Sequence, residues 1–205
     1  MAKKSARTRL SPDDRRAQLL RHAVACFADY GIARATQAQV AARAGVSASA
    51  VYSYFRTRAD LVAAVLEAVE TTIATMVEDA LATPEPEPAL DALTKLATRT
   101  ADMALHEPDT VRVWLDWSTG VRADVWPQFL LLQSRLQGLV ELVLVRPGDD
   151  VPAPAELLVK SAARLFVGGA HTLALMRFEN VCASELGLFI DQMVNGVLAA
   201  SGRKG

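Results

Sequence analysis

The chain is poor in the residues that most catalytic and metal chemistry uses. Its 205 residues include two cysteines and three histidines. Cys26 and Cys182 are too far apart for a metal-binding or redox pair, so both read as small hydrophobes in a reduced compartment, with the cytoplasm as the expected location. His22, His106 and His171 have no partner at metal-ligand spacing, and no H-E-x-x-H, G-x-S-x-G or phosphate-loop pattern occurs. The H-E-P-D stretch at 106–109 puts His106, Glu107 and Asp109 close together, but it reads as a solvated turn. These absences predict a protein that is not an enzyme and carries no cofactor. Long apolar runs are missing as well. The basic start "MAKKSARTRLSPDD" has no apolar stretch behind it, so neither a secretory signal nor a membrane span is expected.

A single sign of charge is scarce in each part of the chain, and this is hidden by the overall balance of −1. Residues 1–60 hold eleven Lys and Arg against four Asp, a net +7. The remainder carries −8. A basic end on an acidic body predicts a polyanion-binding segment.

Hydrophobic residues make up 51% of the chain, with apolar positions at helical spacing and no alternating strand pattern. The expected fold is therefore all-α, with about nine helices. Ser11, Pro12 and two aspartates start a helix that Gly31 ends. Thr36 starts a short helix broken by Gly45. Ser47 caps a second, "ASAVYSYF", and Thr57 caps a long one. "TPEPEP" interrupts the chain at 83–88. A helix at about 88–106 and two in the region 110–145 follow. After the loop "RPGDDVPAP", two apolar helices occupy roughly 153–178 and 183–200.

Thr36–Ala44, Gly45-Val46 and Ser47–Phe55 have the proportions of a helix-turn-helix. Gly45 suits the left-handed backbone of a tight turn, and Ala41 and Ala42 let the helices cross closely. The second helix would expose Ser47, Ala48, Ser49, Tyr52 and Ser53. Small side chains let a helix lie deep in a major groove, where hydroxyls reach base edges or phosphates. Tyr52, Tyr54 and Arg56 or Arg58 are placed for phosphates. The expected partner is double-stranded DNA.

The string "AVACFADYGIARATQAQVAARAGVSASAVYSYFRTRADLVAAVL" resembles the N-terminal domain of TetR-family transcription regulators. The resemblance rests on the F…G helix end, on T…VA..AGVS…VY.YF, and on R..L…V. "RTRLSPDDRRAQLL" and "VWLDWSTGVRADVWPQF" are similar to the LuxR/HapR branch, the quorum-sensing master regulators. The resemblance implies a DNA-binding domain at 1–56 and a helical ligand-binding and dimerisation domain at 57–205. By position it places Arg7 and Arg9 in the minor groove, and Ser47, Ser49, Ala50, Val51, Tyr52 and Ser53 on the recognition helix. Thr36, Tyr54 and Arg58 complete the candidate DNA-binding set. The branch commonly has Phe-Asn where Tyr52-Ser53 stands.

The resemblance also implies a body that dimerises and encloses a pocket. Gly168, Gly169 and Ala170 permit close helix approach. Leu165, Gly169, Leu173, Phe189, Met193 and Val197 are the candidate interface of a two-fold four-helix arrangement. The candidate pocket residues are Ile73, Met76, Met103, Trp114, Trp117, Phe129, Gln133, Ala170 and His171, with Trp126 beside them. The branch has Asn where Gln133 stands, and phenylalanines where Ile73 and Met76 stand. Plain core packing is the competing reading for each aromatic. Two kinds of regulator remain open at this point. One responds to a small apolar ligand. The other is controlled by its own abundance and uses the body only as a dimer scaffold.

Overall fold

A computed structural model of the chain describes residues 11–83, 87–121, 124–145 and 156–202. Among these residues there are nine helices and no strand: α1 (Pro12–Tyr30), α2 (Gln37–Ala44), α3 (Ala48–Tyr52), α4 (Arg58–Leu81), α5 (Ala89–His106), α6 (Pro108–Thr119), α7 (Trp126–Leu144), α8 (Glu156–Phe178) and α9 (Ala183–Ala200). None of them is long and apolar enough to cross a membrane. The helices form two compact units, Met1–Val69 and Glu70–Gly205, with the division falling inside α4.

Local chemistry accounts for the helix ends of the first unit. Ser11 accepts the Asp14 amide at 3.1 Å, and Pro12 follows in the first turn, where its missing N–H costs nothing. Thr36 and Gln39 form a reciprocal capping box at the start of α2. Gly45 closes α2 at φ 64° and ψ 34°. Nothing lies within 4 Å of the Cβ that another residue would place there, so the glycine is required by its backbone angle rather than by space. The turn is sealed by the Val46 amide, which donates to the Ala41 carbonyl at 3.0 Å. Thr57 and Asp60 cap α4 reciprocally, each backbone N–H donating to the other's side chain at 2.9 and 3.0 Å.

The recognition-helix candidate is shorter than its sequence suggests. α3 ends at Tyr52, and the amides of Tyr54 and Phe55 both turn back to the Val51 carbonyl. The chain must reverse here because Phe55, 1% exposed, is drawn into the core with Leu19, Phe27, Val40, Val51 and Leu61. Each such side chain contributes roughly 1.5–3 kcal/mol by leaving water.

In the second unit α8 is central and packs on α5, α7 and α9. Its core holds Leu93, Leu132, Leu144, Phe166, Leu173 and Val194. Pro108 starts α6 one residue after α5 ends, so the expected break at 107–109 is a corner between two helices.

Candidate nucleic-acid interface and ligand chamber

Within the first unit, α2, the Gly45 turn and α3 present one polar face. Ser47, Ala48, Ser49, Tyr52 and Ser53 are exposed, Tyr52 by 49%. The Ser47 hydroxyl accepts the Ala50 amide at 3.2 Å and lies 2.9 Å from the Ser49 hydroxyl, so the two hydroxyls stand side by side on α3's first turn. Ser53 donates to the Ala50 carbonyl at 2.7 Å and keeps its oxygen lone pairs available. Thr36 is exposed, but its hydroxyl belongs to the α2 cap and donates to Gln39 Oε1 at 2.9 Å.

Four expected DNA-contact residues have other surroundings. Val51 is fully buried and packs beneath α3, because the recognition face must have an apolar underside. Ala50 and Tyr54 are only partly exposed. Arg58 is exposed, but its guanidinium is held by the chain's own backbone: its Nε donates to the Ala35 carbonyl at 3.2 Å, and its Nη2 donates to the Ile32 carbonyl. The guanidinium thus fastens the first turn of α4 to the loop between α1 and α2; Arg56 is exposed as well. Arg7 and Arg9 lie outside the described residues.

Sequence reasoning missed Gln37. It is 5% exposed, and its Nε2 donates to the Phe55 carbonyl at 3.1 Å. This bond ties the start of α2 to the end of the α3 turn. No sequence signal marks it, since a glutamine after a threonine cap ordinarily faces water. Arg16 also reaches this corner, with its guanidinium carbon 5.5 Å from the Phe55 ring centre.

The second unit contains an apolar chamber of about 40 Å³. Of the expected pocket residues, Ile73, Met76, Met103, Trp114 and Ala170 line it. Val77, Leu96, Thr100, Val111, Leu136, Val140, Phe166 and Val167 complete the wall. The added residues are ordinary aliphatic core types, so nothing in the sequence distinguished them from filled core.

Trp117 and Phe129 are placed elsewhere. Trp117 is fully buried, its Nε1 donates to the Val125 carbonyl at 2.9 Å, and it meets Phe129 edge-on at 5.7 Å. Phe129 in turn stacks on Trp126 at 5.1 Å. The three rings pin the start of α7. Gln133 lines a separate surface concavity with Leu130, Ser134, Gln137 and Arg164. His171 stacks against Trp114, ring centres 4.1 Å apart. Its Nδ1 lies 3.1 Å from the Val167 carbonyl, which can only accept, so Nδ1 carries the proton. Burial pushes the imidazole pKa below its ordinary value, and the Val167 carbonyl opposes that shift.

The expected dimer residues divide in two. Leu173 and Val197 lie in the chain's own core, at 0% and 2% exposure, where α5, α8 and α9 pack on one another. Gly169 serves the same contact: a Cβ there would lie 2.2 Å from Met193 Sδ. Leu165 is 55% exposed, and Phe189 and Met193 are partly so. Leu188 beside them is 57% exposed.

Comparison with known proteins completes the picture. Residues 19–65 match the model described as bacterial regulatory proteins, tetR family. Over 183 residues the chain is 32% identical to the HTH-type transcriptional regulator LuxR of Vibrio harveyi, covering 89% of this chain and 88% of that relative. The chain belongs to the TetR family of transcriptional regulators. Solved structures agree on the fold. A transcriptional regulator from Rhodococcus sp. RHA1 superposes with a TM-score of 0.73 at 17% identity, over 90% of this chain and 96% of that one. SmeT in its triclosan complex gives 0.67 at 21% identity, over 91% of each chain. As a TetR-family member the regulator is a DNA-binding helix-turn-helix protein and not an enzyme, and the face formed by α2 and α3 lies within the matched segment.

Proposed function

We propose that this TetR-family regulator binds a pseudo-palindromic operator as a homodimer, and that a small apolar molecule in the chamber of the second unit weakens that binding. The observation that carries the DNA half is the exposed row of Ser47, Ser49, Tyr52 and Ser53 above the buried Val51. Residues 1–56 read the DNA, with Arg7 and Arg9 in the minor groove. Residues from 57 onward dimerise and sense the ligand. Exposed Leu165 and Leu188 on α8 and α9 support the dimer, since apolar side chains there gain by being covered. Two-fold symmetry then sets two recognition helices on half-sites about one helical turn apart.

The ligand half is supported by the apolar lining and by two methionines in the wall, whose side chains adapt to different shapes. SmeT, of the same fold, is known in complex with triclosan. Ligand and operator oppose each other reciprocally in this scheme. The test is footprinting on genomic fragments followed by anisotropy titration of the best site, with and without candidate ligands. A two-fold site whose affinity falls on ligand addition is the expected result, and equal ligand affinity in the presence and absence of operator contradicts the coupling.

The size of the chamber favours a second reading. At about 40 Å³ it is far below the few hundred Å³ of common ligand pockets. In this reading the body is a dimer scaffold and the protein's abundance sets its output, as the similarity to the LuxR/HapR branch suggests for a quorum-sensing circuit. A thermal-shift screen of small apolar compounds separates the two, because only the first predicts stabilisation.

A further inference from the structure

Among the described residues two buried side-chain polar atoms lack a hydrogen-bond partner, His171 Nε2 and Arg177 Nε. Arg177 is engaged through its Nη2 with Asp102, but the His171 atom has no such relief. The other imidazole nitrogen, Nδ1, holds its proton on the Val167 carbonyl, so Nε2 presents a lone pair and can only accept. Burial keeps the ring neutral and so preserves that lone pair near neutral pH. A buried acceptor without a donor is costly, so an orphan of this kind marks a place where a donor group is received. Val167 and Ala170, on the same turn of α8 as His171, line the apolar chamber. So does Trp114, whose indole stacks on the imidazole with ring centres 4.1 Å apart. From this pairing we propose that the ligand carries a neutral hydrogen-bond donor, a hydroxyl on an apolar ring or chain, which His171 Nε2 accepts. This rests on the reading of the chamber as the ligand site.

The donor is neutral because the chamber wall carries no charged side chain, so an ammonium would lose its hydration without a counter-charge. The one hydroxyl in the wall, on Thr100, already donates to the Leu96 carbonyl at 2.9 Å. At about 40 Å³ the chamber is far smaller than the roughly 150 Å³ that holds benzene, so a wall moves on binding. Trp114 is the wall whose movement opens the chamber toward His171. Unlike Trp117, which is tied to the Val125 carbonyl, its indole has no hydrogen bond among the described residues and is held by packing. Nε2 is already sealed from solvent within one chain, so its donor arrives from this inner side and not from a second copy.

The test uses the full chain and three probes of similar size, phenol, anisole and toluene, titrated by calorimetry. Phenol donates a hydrogen bond, anisole only accepts one, and toluene does neither. Phenol is expected to bind about tenfold more tightly than anisole, the effect of one net hydrogen bond. His171→Phe keeps a ring against Trp114 and is expected to remove that preference while leaving toluene unchanged. A second measurement stands without that variant. In a His22→Gln/His106→Gln chain His171 is the sole histidine. Phenol is expected to move the NMR resonance of its Nε2 upfield, as acceptance of a hydrogen bond does, and toluene to leave it nearly in place. Toluene binding with no preference for phenol over anisole overturns the donor inference and leaves the chamber reading standing. A preference that survives in His171→Phe, or an Nε2 resonance that bound phenol does not move, has the same consequence. Failure of all three probes to bind the wild-type chain overturns the chamber reading together with this inference.

Discussion

The Gln37 side-chain amide donates to the Phe55 carbonyl at 3.1 Å, joining the first residue of α2 to the residue at which α3's turn enters the core. The bond spans eighteen residues and lies out of water. It holds the two helices of the DNA-reading motif at a fixed angle. Gln37→Leu leaves that carbonyl buried without a partner, which costs about 1–3 kcal/mol. Urea unfolding is expected to show a lower midpoint at an unchanged slope, and a wild-type midpoint contradicts the role.

Arg58 and Arg56 lie two residues apart, and the proposed interface gives them different jobs. Each phosphate neutralised contributes about 0.9 to the slope of log K against log salt. Arg56→Ala is expected to reduce that slope by about one. Arg58→Ala removes a clamp onto the Ile32 and Ala35 carbonyls, so it weakens operator binding at an unchanged slope. If the slope falls for Arg58→Ala, its guanidinium contacts phosphate after all.

Gly169 and Met193 are coupled. In a helix interior Gly→Ala is favourable by roughly 1 kcal/mol, but here the new methyl group meets Met193 Sδ at 2.2 Å. Gly169→Ala is expected to stabilise a Met193→Ala background and to lose most of that gain, or become destabilising, beside the native methionine. A thermodynamic cycle measures the difference, and equal effects in both backgrounds contradict the contact.

His171 makes stability depend on pH. Its folded pKa lies below the ordinary value of 6.5 because burial disfavours the charged ring. Between the two values the unfolded chain binds a proton that the folded chain does not. The contribution is present above pH 6.5 and lost as pH falls from there toward the folded pKa. Thermal midpoints of wild type and His171→Gln are expected to converge on acidification through this window. Parallel curves contradict the assignment.

Much of this was legible in the residues. Ser11, Thr36, Ser47 and Thr57 cap helices because a side-chain oxygen before an apolar run has that one local use. Gly45 marked the turn because few residues accept its backbone angle. What the sequence hid were choices made in three dimensions. Val51 and Tyr52 are neighbours, and only packing decides that one goes under and the other out. Arg58 looks like any basic residue near DNA until the carbonyls of Ile32 and Ala35 appear beside it. Leu173 and Val197 have the apolar character of an interface, yet both are buried in the chain's own core. Gln133 shares a helix with Val140, which lines the chamber, but belongs to a different face.

The central claim is that the exposed face of α3 reads DNA. It is tested most directly by fluorescence anisotropy of wild type and Tyr52→Ala on the best operator and on a shuffled duplex of the same length. The account predicts that the substitution costs about 1–3 kcal/mol on the operator, roughly tenfold to a hundredfold, and weakens the shuffled duplex too, since Tyr52 is placed for phosphate. Unchanged operator affinity in a folded Tyr52→Ala chain contradicts it and moves sequence recognition away from α3.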